Sequence, residues 1–218
     1  MRFVNIKDRK FATVIFQFSH LFIDKYFKLI KYAKWNFHKW KGLTLMKDPM
    51  TLSTYMMMIQ EIKPKTILEF GTYDGGSALW MEDITKSLGI DCEIYTFDIN
   101  IERVNLPKES KIKFHQLDNY KIAEFIDEKE KMFKDLMSPI LMIEDSHQNS
   151  TGLIRSMDKF LKPGDYLVIE DTLDQNKYEE TILSERGIQD MSYEVDTHYC
   201  DLWGMNNSWN VNSILKKK

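Results

Sequence analysis

Residues 67–78 read ILEFGTYDGGSA: an apolar strand carrying Glu69, a glycine turn, and a helix starting near Gly76. A turn of this kind places helix N–H groups and bare backbone beside a ligand at the mouth of a parallel sheet. The glycines are spaced Gly71-x-x-x-Gly75-Gly76, which is not the GxGxxG of a pyrophosphate-binding loop. An acid ahead of the turn repels phosphate and suits a cation.

Outward from this stretch, apolar runs alternate with helical patterns, the signature of an α/β parallel sheet. A helix near 51–62 stops at Pro64, strand one is TILEF, and a helix covers 76–88. EIYTFD, IKFHQLD, PILMIED and DYLVIED follow as strands two to five. Helices are expected over about 120–134, from NSTGLIRSMDKFL to Pro163-Gly164, and over about 175–185. SYEVDTHYC and SWNVNSILKK read as a closing pair, giving seven strands with helices on both faces.

Acidic residues recur at the strand ends. Asp98 is placed to accept hydrogen bonds from ribose hydroxyls, or alternatively to cap a helix, a job Asn100 could also fill. Asp118 and Asn119 are placed to meet an adenine, and Tyr73, Gly75 and Ser77 complete the expected cofactor contacts with Glu69 and Gly71. Asp145, Glu170 and Asp171 end two neighbouring strands, and hard oxygen ligands gathered there suit Mg²⁺ or a similar ion. The order Glu69, Asp98, then a late Glu-Asp pair fits S-adenosylmethionine and a divalent metal better than a nicotinamide, and points to methyl transfer. Asp145 and His147 are the expected catalytic pair, the imidazole as base toward a substrate hydroxyl; blandly, His147 is a loop residue. His198 is a second candidate. His198, Trp203, Asn206 and Trp209 lie where rings and amides would bind a sugar, or else close the sheet as an aromatic hairpin.

The chain has 218 residues, 43% apolar and 29% charged, enough for one α/β domain. Two distant cysteines, Cys92 and Cys200, argue against a disulfide framework and make a reducing, cytoplasmic setting the default. No uncharged run is long enough to span a bilayer. Residues 1–47 hold eleven Lys/Arg against Asp8 and Asp24, a balance of +9, while the remainder carries −12. Apolar residues from Phe11 to Ile30 recur at helical spacing. Residues 1–45 are therefore expected to be a basic amphipathic helical extension, and 46–218 the catalytic domain. The arm either packs on the body or a second copy, making a homo-oligomer, or contacts an anionic membrane surface. No nucleic-acid partner is expected. A nicotinamide oxidoreductase, or an idle module acting through the arm, are the alternatives.

The Trp40–Pro49 lead-in, KPKTILEFGTYDGGSA, YTFDIN, IEDSHQN, LKPGDYLVIEDT and YCDLWGMNNSWNVNSILKK together resemble the family named for cephalosporin hydroxylase and rhamnosyl O-methyltransferases. The glycine turn is also similar to that of catechol O-methyltransferase. The resemblance implies a Rossmann-like methyltransferase fold with a reversed last strand, S-adenosylmethionine as donor, and Mg²⁺ at Asp145, Glu170 and Asp171. It implies cofactor contacts at Glu69, Gly71 and Asp98, and O-methylation of a sugar, glycan or related small molecule. SHQNST after Asp145 is poorer in histidine than the family pattern, and nothing supplies the iron facial triad of an oxygenase.

Overall fold

Strands that are buried on both faces must be apolar at every position, and the runs around the glycine turn meet that demand. The computed structural model describes residues 1–11, 38–206 and 208–218. Its strands are β1 (Phe3–Asn5), β2 (His38–Trp40), β3 (Leu43–Leu45), β4 (Thr66–Phe70), β5 (Glu93–Asp98), β6 (Lys113–Gln116), β7 (Ile140–Glu144), β8 (Tyr166–Ile169), β9 (Tyr193–Asp196) and β10 (Ile214–Lys217). Its α-helices are α1 (Pro49–Ile62), α2 (Gly76–Ser87), α3 (Ile122–Glu128), α4 (Glu130–Lys134), α5 (Ser150–Met157), α6 (Gln175–Tyr178) and α7 (Thr197–Cys200). Every residue of β4, β7 and β8 is buried, as expected of a parallel sheet covered by helices on both faces.

The main sheet has eight strands in the order β1-β9-β10-β8-β7-β4-β5-β6. From β6 through β8 they run parallel, whereas β10 is antiparallel to both β8 and β9. From β4 the chain first steps outward to β5 and β6, then returns to the other side of β4 for β7 and β8. That reversal opens a crevice at the carboxyl ends of the central strands, where α/β sheets bind ligands.

Seven strands were expected, and the eighth is β1, antiparallel to β9 along the sheet edge. A three-residue edge strand is too short to show alternation. Residues 3–5 and the β2–β3 hairpin thus correct the expectation that 1–45 is helical throughout. The amphipathic pattern itself falls on residues 12–37, outside the described residues. The expected 120–134 helix is two, parted at Lys129, and the expected 175–185 helix is α6 followed by a π turn, Glu179–Leu183. SYEVDTHYC is a strand only to Asp196, whose carboxylate caps α7 by accepting from His198 N at 3.1 Å. Among the described residues no helix is long and apolar enough to cross a membrane.

The hairpin is seated on the start of α2. Thr44 N donates to Asp74 at 2.7 Å and Trp40 Nε1 to Asp83 at 2.7 Å. Gly76 permits the approach, since a Cβ there would lie 2.6 Å from the Thr44 carbonyl carbon. Asp48 then caps α1, with Pro49 at its first position.

Candidate functional site

Beyond β4 the chain crosses bare against two neighbouring strands. Gly71 N donates to Phe97 O at 2.8 Å, and Asp145 N donates to Phe70 O at 2.8 Å. Gly71 has φ +112°, and a Cβ on it would fall against the Asp145 backbone. Between these strand ends lies a cavity of about 400 Å³. Of the residues expected at a cofactor, Gly71, Tyr73, Ser77, Asp98 and Asn119 line it.

Glu69, Gly75 and Asp118 are not on its wall. Glu69 is fully buried one layer beneath: Ser77 Oγ donates to Oε1, and Thr96 Oγ1 to Oε2 at 2.8 Å. Burial pushes its carboxyl up to about 7, against the pull of Lys47 and of both hydroxyls. It therefore acts on the cavity through Ser77. Gly75 has φ +102°, a conformation that only glycine adopts readily, and packs against Leu106. Asp118 caps a short 3-10 turn by accepting from Tyr120 N at 3.0 Å, which accounts for an acid at a strand end without any ligand. Asp98 combines both roles weighed for it. It lines the cavity while accepting from Tyr73 N at 2.8 Å and Asn100 N at 2.9 Å. Asn119 is buried and donates to Ser146 Oγ at 2.6 Å, tying the cavity wall to the loop after β7. At the rim, Arg103 lies 4.6 Å from the centre of the Tyr73 ring.

At the other end of the cavity Asp145, His147 and Asp171 each direct a ligand atom to one spot, all within 4.8 Å of one another. His147 Nε2 is 3.2 Å from Asp171 Oδ2 and 3.5 Å from Asp145 Oδ1. Hydrogen bonding to Asp171 raises the imidazole's pKa above its usual value, against burial and Lys177, and the Asp171 carboxyl is held low in turn. Lys177 Nζ lies 3.3 Å from His147 Nδ1 and 3.1 Å from buried Glu144. Since an ammonium only donates, this pairing assigns the neutral ring's hydrogen to Nε2. His147 and Asp171 have φ of 56° and 57°, unfavourable for residues of this kind, and such strain gathers at functional sites.

Glu170, expected as the third carboxylate ligand, lies outside this cluster. Its Oε1 accepts from Tyr55 OH at 2.5 Å and pairs with Lys47 Nζ at 3.0 Å. The same ammonium meets Asp145 Oδ2 at 2.5 Å. Lys47 is buried and stays charged, because the surrounding carboxylates outweigh its desolvation. Sequence reasoning missed both Lys47 and Tyr55. They come from the segment after the hairpin and from α1, and a lone lysine in MKDP carries no motif.

The candidate substrate residues near the chain's last strand do not line the cavity. His198 Nε2 lies 3.4 Å from Glu61, and Asn206 Oδ1 accepts from Asn212 N at 3.0 Å and from Arg9 at 3.3 Å. Asn206 is fully buried, Trp203 half exposed, and the Trp209 carbonyl accepts from Leu173 N at 2.9 Å. These residues knit the last turns to the first ones, closer to the hairpin reading than to a sugar cradle.

With the geometry in place, comparison with known proteins is direct. A family model described as Rhamnosyl O-methyltransferase/CmcI matches residues 32–192. The rhamnosyl O-methyltransferase of Mycobacterium leprae (strain TN) is 28% identical over 144 residues, 63% of this chain and 62% of that protein. The protein of the same name from Mycobacterium tuberculosis (strain ATCC 25618 / H37Rv) is 27% identical over 146 residues, 63% of this chain and 58% of its own length. The chain thus spans about three-fifths of the length of these relatives. A CmcI structure described as carrying Mg and SAM superposes with a TM-score of 0.70 at 30% identity, covering 83% of this chain and 76% of that one. A second CmcI structure, with SAH, gives 0.67 at 29%, covering 83% and 82%.

Proposed function

Because the chain belongs to the Rhamnosyl O-methyltransferase/CmcI family, we propose that it is an S-adenosylmethionine-dependent, metal-assisted O-methyltransferase acting on a hydroxyl of a sugar, glycan or related small molecule. One observation carries this reading: a nucleoside-sized cavity runs from Asp98 to a convergent Asp145–His147–Asp171 cluster. The CmcI likeness, from structures described with Mg, SAM and SAH, supports it.

The residues fit both groups. Asp98 keeps acceptor capacity for ribose hydroxyls, Phe97 and Leu117 offer apolar wall, and Asn119 closes one side. Asp145 and Asp171 are hard oxygen donors on an accessible wall, suited to a divalent cation that keeps water or substrate oxygens. When bound, the donor supplies an electrophilic methyl group, and the metal supplies polarisation of the acceptor hydroxyl.

His147, beside the carboxylates, takes the hydroxyl proton at Nε2, and Asp171 stabilises the resulting imidazolium. To accept there the ring must first carry its hydrogen on Nδ1, turned from Lys177, and its half-exposed position lets solvent mediate that exchange. Helix α2 and the hairpin close the cavity at the Ser77 and Thr44 side.

Isothermal titration with S-adenosylhomocysteine tests the cofactor, and labelled donor with a panel of free sugars, nucleotide sugars and glycans tests the transfer by mass spectrometry. Binding with methylated product is the expected result. Absence of any S-adenosylhomocysteine binding would sink the reading.

A further inference from the structure

Lys47 is the residue on which this site turns in an unexpected way. Its ammonium is buried between two carboxylates of different fate: Asp145, which faces the cluster, and Glu170, which does not. Tyr55 pins Glu170 from the other side at 2.5 Å. Asp145 therefore has one oxygen on the lysine and the other, Oδ1, toward His147 and the cluster. The lead-in that delivers Lys47 is itself fixed, by the hairpin on α2 and by the Asp48 cap.

We propose that Lys47 is a built-in counter-cation of the metal site: it holds Glu170 out of the ligand set and keeps divalent-metal affinity low enough for exchange. This inference rests on the metal reading above. A fixed positive charge hydrogen-bonded to a ligand carboxylate repels an incoming cation and occupies one of that carboxylate's oxygens. Affinity of hard-cation sites follows the charge and number of their ligands. Removing the ammonium frees Asp145 Oδ2 and leaves Glu170 with Tyr55 alone, so the site becomes more negative toward a metal. A residue that merely braced the loop would have the opposite effect, since its loss would loosen the site and weaken binding. The sign of the change separates the two roles.

The test is Mn²⁺ titration of the full chain at pH 8, followed by electron paramagnetic resonance of free Mn²⁺. Wild type is compared with Lys47→Met, Lys47→Gln and Lys47→Arg, each checked for a cooperative thermal transition. Both neutral variants are expected to bind Mn²⁺ at least about ten-fold more tightly, and the charge-retaining Lys47→Arg to stay within about three-fold of wild type. Either neutral variant suffices if the other does not fold. Equal or weaker binding in a folded neutral variant overturns the proposal, as does equal tightening by Lys47→Arg. No Mn²⁺ binding by wild type would instead overturn the metal reading on which it stands.

Discussion

Replacing Gly71 by alanine strikes the fold and the site through one atom. The new Cβ would sit 2.6 Å from the Asp145 carbonyl carbon and 3.0 Å from Ser146 N. Ordinary non-bonded contacts settle near 3.5–4.0 Å, so the ends of β4 and β7 must part by about 1 Å. The neighbours are backbone in the middle of the sheet, stitched by the Asp145 N–Phe70 O bond, and cannot simply rotate aside. Overpacking costs about 1–3 kcal/mol, and a side chain at φ +112° about 1–3 kcal/mol more. At ~2–4 °C per kcal/mol for a chain of this size, Tm should fall by about 10 °C. Asp145 moves with its carbonyl, so Mn²⁺ affinity should fall as well. Circular dichroism melts with a Mn²⁺ titration read both effects. A Tm within about 2 °C of wild type and unchanged Mn²⁺ binding would refute the close-approach argument.

Asp171→Asn should weaken Mn²⁺ binding by about ten-fold or more while leaving S-adenosylhomocysteine affinity within about three-fold, because Asp98 lies at the other end of the cavity; excess EDTA should abolish turnover, and full activity in EDTA would remove the metal from the reaction. In the metal-free protein, Asp171 raises the His147 pKa, so the pair's stabilisation is complete below the unfolded value near 6.5 and vanishes as pH rises through the higher folded value. An NMR titration should place the His147 midpoint above 6.5 and show it fall in Asp171→Asn; an unmoved midpoint would show that the two do not interact. Arg2→Ala removes a guanidinium whose Nε and Nη2 both bond the fully buried Asp196 carboxylate, at a cost of about 1–3 kcal/mol by urea denaturation. A change below about 0.5 kcal/mol would mean that Tyr166, which also bonds Asp196, suffices.

The parallel half of the sheet was legible because its strands are buried on both faces and so carry unbroken apolar runs ending in acids. Those same acidic ends misled where an alternative task existed: Asp118 caps a turn, and Asp196 caps a helix while anchoring Arg2. Asp145 and Asp171 stand together as their positions suggested. Glu170 does not join them, because its partner Lys47 arrives from a segment whose sequence gives no sign of where it docks. The Asn-rich late segment looked like a ligand surface for a related reason: buried amides that satisfy backbone groups have the composition of amides that bind sugars.

The pairing of β1 with β9 has a bearing on how the chain is assembled. Arg2 and Asp196 are 194 residues apart in sequence yet share a bidentate contact across the sheet edge. During synthesis the first strand emerges long before its partner, and contacts of such separation form slowly. Until β9 and β10 are in place, the parallel strands already made keep an open flank at β8, with backbone groups able to pair with other nascent chains. β1 is thus the final stitch, added by the residues made first. Slowing translation near residues 193–217 should prolong that vulnerable interval more than slowing it anywhere else in the described chain.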